Sequence, residues 1–186
     1  MSLGFALLQS FWFFLPAFVA NPSAALFGGG RPIDGMRVLS DGNRLFGDGK
    51  TWRGFGGGVF GGAVLGLIQW GVSFAVDPDL SFGPFPAGLV PIVVLPTGAL
   101  LGDLLGSYLK RRAGKPKGAK THGLDWYDFY LGAFLLLILT DYPFFLDHFV
   151  IGEAIYGLAF VTVITPVLHR VVNILGFRLG KKDVPW

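Results

Sequence analysis

FGGGVFGGAVLGLIQWGVSFAV, residues 55–76, decides the fold class. It contains no Asp, Glu, Lys or Arg, and it exceeds the roughly 20 apolar residues that a helix needs to cross a bilayer. Working outward, comparable runs occupy residues 3–20 (reaching past Asn21-Pro22 towards Phe27), 85–109, 127–146 and 149–175. The 85–109 run is interrupted by Pro86, Pro91 and Pro96 and holds a single acid, Asp103. Only 15% of the 186 residues are charged, against about 25% in soluble domains. The reading is an all-α membrane protein with five transmembrane helices in one domain, residues 1–186. No Lys or Arg precedes the first run, so it lacks the basic start of a signal peptide and is expected to remain as a helix.

The charges sort themselves by segment. Arg31, Arg37, Arg44, Lys50 and Arg53 lie between the first two runs, and Lys110, Arg111, Arg112, Lys115, Lys117 and Lys120 lie between the third and fourth. Arg170, Arg178, Lys181 and Lys182 end the chain, which accounts for all 15 basic residues. The short connections at 77–84 and Asp147-His148 have none. Cytoplasmic loops carry the excess of Lys and Arg, so five spans put the N-terminus outside, the C-terminus in the cytoplasm and both long loops in the cytoplasm. A net charge of +3 gives no reason to expect nucleic acid. The absence of cysteine removes disulfides, thiolate metal sites and cysteine nucleophiles.

Several short motifs fail on their context. Residues 56–61 match G-x-G-x-x-G but lack the strand and βαβ unit of a dinucleotide site. Gly49-Lys50-Thr51 resembles the end of a Walker A loop, yet the required glycine five positions earlier is Arg44. Asp41-Gly42-Asn43-Arg44 matches the opening of the CDP-alcohol phosphotransferase motif without its later paired aspartates. His122, His148 and His169 have no ligand spacing, and His169 beside Arg170 reads as an interfacial residue. The four-residue spacing of Gly57/Gly61, Gly58/Gly62/Gly66 and Gly98/Gly102/Gly106 predicts closely packed helices, within or between chains. The oligomeric state stays open.

What remains is a polar constellation. An intramembrane carboxylate such as Asp103 is costly and usually functional. Ser107 and Lys110 follow it on the same helix face, with Arg111 just beyond. Asp125 and Asp128 stand three apart at the start of the fourth run, where helix capping is the plain alternative. Three acids at one depth would suit Mg²⁺, which prefers hard oxygen ligands. In the first loop Asp34, Asp41 and Asp48 recur every seven residues, each followed by Gly. The string Gly47-Asp48-Gly49-Lys50-Thr51 offers amides, a cation and a hydroxyl to phosphate oxygens.

Gly30-Arg31-Pro32-Ile33-Asp34, Asp41-Gly42-Asn43-Arg44, residues 47–54, residues 102–112 and Leu124-Asp125-Trp126-Tyr127-Asp128 together resemble the CDP-archaeol synthases, archaeal CTP-dependent cytidylyltransferases. The wider CDP-diacylglycerol synthase signature is kept at Ser107, Lys110 and Arg111 and loosely at His122-Gly123. Its lysine-aspartate pair is absent from 115–118, and Trp126 stands where an arginine is expected. The resemblance implies that CTP and an isoprenoid ether-lipid phosphate yield a CDP-lipid and pyrophosphate with Mg²⁺. On that basis Asp103, Asp125 and Asp128 are expected to hold the metal and, with Lys110, to act in catalysis. Ser107 and Arg111 would contact phosphates. Asp34, Asp41, Arg44, Asp48, Lys50, Thr51 and Arg53 would complete the nucleotide pocket and part of the lipid headgroup site, with the isoprenoid chains in grooves facing the membrane lipids. The competing readings are a small transporter lined by Asp103 and Glu153, against which the lack of internal symmetry counts, and a structural subunit whose basic loops bind anionic lipid heads.

Overall fold

The glycines of residues 55–76 explain how their helix packs. In the computed structural model, which describes residues 2–116, 119, 121 and 123–180, this stretch lies in α2 (Trp52–Val76). It runs against α1 (Leu3–Phe27) and α3 (Leu89–Arg112). A β-carbon on Gly62 would lie 2.4 Å from Pro96 and 2.7 Å from the Pro16 carbonyl, so the missing side chain permits the approach. The same device joins α3 to α4 (Leu124–Thr140). There a β-carbon on Gly102 would come within 2.0 Å of the Asp128 carbonyl oxygen. Both glycine ridges are therefore used inside the chain.

The remaining helices are α5 (Tyr142–Phe149) and α6 (Ala154–Arg178), with a 3₁₀ turn at Pro78–Leu80. No β-strand is present among the described residues; the first connector holds two isolated bridges, Pro32 to Thr51 and Val38 to Arg44. The core is aromatic. Phe14 stacks on Phe134 at 4.7 Å, Tyr130 meets Phe134 edge-on at 4.8 Å, and Phe13 is enclosed by Phe82, Phe144 and His148. The outer faces of α2 and α6 carry exposed Phe60, Ile68, Phe74, Val163 and Val167, as a lipid-facing surface requires.

Four helices, α1, α2, α3 and α6, are long and apolar enough to cross a membrane. The expected fourth run, 127–146, is split instead of continuous. Asp141 ends α4 and caps α5, accepting from the Phe144 amide at 3.2 Å, while Pro143 fits the first turn where no intrahelical N–H is needed. As a consequence Asp147 and His148 lie inside α5, and the turn falls after Phe149.

The two poles of the bundle are held differently. At one, helix side chains donate to connector carbonyls, Gln9 to Asp79 at 2.6 Å, Trp12 to Leu80 at 3.0 Å and Trp70 to Gly83 at 3.0 Å, and Ser10 donates to the His148 carbonyl of α5 at 3.0 Å. At the other, the first long connector is tied to α3 by ion pairs, Lys50 to Asp103 and Asp41 to Arg112, and α3 is tied to α4 by Lys110 to Asp125. Lys117, Lys120, His122, Lys181 and Lys182 lie outside the described residues.

Candidate active site

The first connector organises itself around Asp34. Its carboxylate accepts from the amides of Met36, Phe46 and Gly47 at 3.0–3.1 Å and takes a two-pronged contact from Arg44, at 3.1 Å from Nε and 2.5 Å from Nη2. Burial opposes ionisation here, but the Arg44 guanidinium and the three amides outweigh it and hold the carboxyl well below the usual range. Asp34, expected in the nucleotide pocket, is thus the internal hub of its loop. Arg44 also reaches Asp48 at 2.7 Å.

The Asp-Gly regularity is in part turn chemistry. Asp34 accepts from the amide of Met36 and Asp41 from that of Asn43, each two residues on, and Gly35 and Gly42 take the left-handed backbone at φ 56° and 76°. The third acid, Asp48, is exposed and faces a cavity. Thr51 caps α2 by accepting from the Gly54 amide at 3.1 Å, which leaves its O–H proton to donate. Arg53 is exposed on the first turn of that helix and does not line the cavity.

Arg112, which has no role in the sequence reading, fastens this loop to α3. Its guanidinium lies 2.8 Å from Asp41, donates to the carbonyls of Arg44 at 2.7 Å and Asn43 at 3.3 Å, and sits over the Tyr108 ring at 5.4 Å. A second fastening joins Lys50 to Asp103. A third joins Lys110 to Asp125 at 2.8 Å, with the other Asp125 oxygen accepting from the Thr121 amide at 2.6 Å.

Asp128 of α4 packs into the glycine seam of α3. A β-carbon on Gly106 would lie 2.2 Å from Asp128 Oδ2, so this carboxylate occupies the space that Gly106 leaves. Among the described residues no three acidic or histidine side chains form a ready metal cage. All three expected acids are engaged: Asp125 through both oxygens, Asp103 by Lys50, and Asp128 by the Phe129 amide at 2.7 Å. Carboxylates are the hard oxygen donors that Mg²⁺ takes, commonly one or two together with water and substrate phosphates. Ser107 is buried on α3; Arg111 donates to the Pro116 carbonyl at 3.1 Å, and its Nε is buried with no partner among the described residues.

A cavity of about 780 Å³ opens beside Lys50 and Asp103; Ser107, Lys110, Arg111, Asp125 and Asp128 are not among its lining residues. Asp48, Gly49, Lys50, Thr51 and Asp103 form its polar lining, and Phe11, Leu15, Phe18, Phe129, Leu168 and Val172 form apolar wall. His169 and Asn173 also line it, a placement that the sequence reading of His169 did not foresee. Their four-residue spacing on α6 was the available signal, but it does not say which face turns inward.

The family model described as CarS-like, CDP-archaeol synthase, matches residues 4–186. A CDP-archaeol synthase of Methanoculleus marisnigri is 46% identical, over 92% of this chain and 99% of its own length. Its counterpart from Thermococcus kodakarensis is 42% identical over 97% of both chains. A solved structure, described as an intramembrane enzyme for archaeal membrane lipids biosynthesis, superposes with a TM-score of 0.67 at 32% identity, covering 90% of this chain and 94% of that one. The match runs through both connectors and every helix that builds the cavity, and on that extent the chain belongs to the CDP-archaeol synthase family.

Proposed function

We propose that the chain transfers CMP from CTP to an unsaturated archaeal ether-lipid phosphate, 2,3-bis-O-geranylgeranylglyceryl phosphate, releasing pyrophosphate. The observation that carries this reading is the amphipathic cavity, with Lys50 and Asp103 at its polar lining and aromatic and aliphatic side chains along its wall. A lipid with a phosphate head and isoprenoid tails matches that division. Its phosphate monoester is already an anionic nucleophile. An oxygen of it attacks the α-phosphorus of CTP, the bond to the β-phosphate bridging oxygen breaks, and pyrophosphate leaves.

The protein's task is to bring two polyanions together and neutralise the charge that builds on phosphorus. Lys50, Lys110 and Arg111 supply positive charge, Thr51 and Ser107 supply hydroxyl donors, and the Asp34–Arg44–Asp48 loop with Asp41 keeps the first connector in register. Arg53 takes the periphery of the nucleotide site. Mg²⁺ held by Asp103 and Asp128 would screen the phosphates as a Lewis acid.

The same reading makes α4 a short fifth span. Its 17 residues reach about 25 Å at 1.5 Å per residue, and α5 completes the return. The N-terminus then lies outside, and the basic pole with the active site faces the cytoplasm. Purified protein in detergent should release pyrophosphate from CTP only when the ether-lipid phosphate is present. Lack of lipid-dependent release would remove the enzyme reading and leave a transporter or a structural subunit. Because the chain has no cysteine, single cysteines at Met36 and Asp79 can be labelled from opposite sides, which tests the orientation.

A further inference from the structure

The chemistry above draws on the first connector, α3 and α4, yet α6 brings four side chains to the same cavity: Leu168, His169, Val172 and Asn173. Leu168 and Val172 are what an isoprenoid chain requires. His169 and Asn173 are not, and polar side chains within a membrane helix are costly enough to need a reason. Asn173 is only 2% exposed. Its Nδ2 lies within 3.2 Å of both ring nitrogens of His169, and the His169 ring stacks on Phe129 at 6.3 Å with 17° between planes. Phe129 lines the cavity too. The pair is therefore held in a fixed geometry on a helix whose other cavity residues, Leu168 and Val172, are apolar.

The chemistry of the pair differs from that of the connector cations. A carboxamide and an imidazole are neutral hydrogen-bonding groups. They satisfy acceptors in a low-dielectric wall without the desolvation cost of an uncompensated charge. The junction of the proposed lipid acceptor presents such acceptors, namely the glyceryl ether oxygens and the phosphate ester oxygen, between a charged head and hydrocarbon tails.

We infer that His169 and Asn173 bind the glyceryl junction of the lipid acceptor and set the depth at which its phosphate stops in the cavity. This rests on the cytidylyl-transfer reading of the same site. The pair confers preference for the lipid and takes no part in binding CTP.

The test compares wild type with Asn173→Leu and His169→Phe, each close in size, and with Asn173→Gln, which keeps the amide. KM for the ether-lipid phosphate should rise about tenfold in the two apolar variants, as expected for one or two lost hydrogen bonds. KM for CTP should stay within about twofold. Asn173→Gln should recover part of the lipid KM. Stabilisation of the purified protein by the lipid phosphate, measured without CTP, should weaken in parallel. Equal changes in both KM values, or an unchanged lipid KM, would overturn the inference and reduce the pair to a brace within α6. If Asn173→Leu does not insert, Asn173→Ser replaces it with the same expectations. Wild type that is stabilised by the lipid phosphate but makes no CDP-lipid defeats the transfer reading, and the binding comparison among variants still decides the role of the pair.

Discussion

Lys50, near the end of the first connector, pairs with Asp103, an acid inside α3 that is 53 positions away in the chain. The contact closes the polar lining of the cavity and ties a loop to a membrane helix. Neither partner is deeply covered, with side-chain exposures of 24% and 22%, so both remain open to exchange with substrate. A strut and a catalytic pair would look alike in this geometry, and charge chemistry separates them.

Asp103→Asn should lower kcat by at least about 100-fold, the scale of losing one preorganised electrostatic contact, while membrane insertion is kept. Lys50→Met should act similarly. The exchanged pair Lys50→Asp with Asp103→Lys restores an ion pair but not a metal ligand at 103, so turnover should stay low. Recovery of turnover in the exchanged variant would show a strut alone, with CDP-lipid formation as the measurement.

Arg112 is expected to act on the nucleotide site through the loop it fastens. Arg112→Ala removes the contacts to Asp41, Asn43 and Arg44 and should raise KM for CTP about tenfold, in line with loss of charged hydrogen bonds. Arg112→Lys keeps the charge without the planar fork and should recover only part of that loss. Steady-state kinetics with CTP varied at saturating lipid would show it.

The α3–α4 seam gives a prediction about stability with its own control. Gly102→Ala places a methyl group where the Asp128 carbonyl oxygen lies 2.0 Å away. It should destabilise the protein by about 1–3 kcal/mol, as overpacking does, and should impair turnover through the displaced Asp128. Gly56→Ala meets nothing within 4 Å, and its higher helix propensity should leave stability unchanged or improved by up to about 1 kcal/mol. Thermal unfolding in detergent distinguishes the two variants.

Asp34 yields a prediction in pH. Its folded pKa is depressed, so its stabilising effect is complete above the unfolded value near 3.9 and fades as pH falls through the folded one. Wild type should therefore lose stability from this group only below about pH 4. Asp34→Asn should be less stable at neutral pH and show a smaller further loss on acidification. Melting curves between pH 3 and 8 would expose the difference, and parallel curves for both proteins would count against the hub assignment.

Much of this was legible because membrane helices advertise themselves through composition. Residues 55–76 mark α2 directly, the glycine spacings foretell both seams, and the position of Asp103 within an apolar run marks it as costly. The break at Asp141 was written locally, as an acid two residues before Pro143, but the apolar continuation to Leu146 dominated the reading. For Asp34 and Asp41 a string of letters does not show the turn that each carboxylate terminates. His169 and Asn173 escaped for a different reason. Which face of α6 turns towards α4 depends on Phe129 and on helix rotation, and a single helix with polar groups near its end carries no such information.

The hydrogen bonds from Gln9, Trp12 and Trp70 to the carbonyls of Asp79, Leu80 and Gly83 have a consequence for how the molecule works. Those bonds join uncharged groups that lie outside the cavity lining. Ion pairs such as Lys50–Asp103 face the opposite circumstance, since a nucleotide oxygen is a ready substitute for a carboxylate. If the proposed transfer holds, the bundle works like a clothes-peg, fastened by uncharged bonds at one end and trading ionic partners in its jaws.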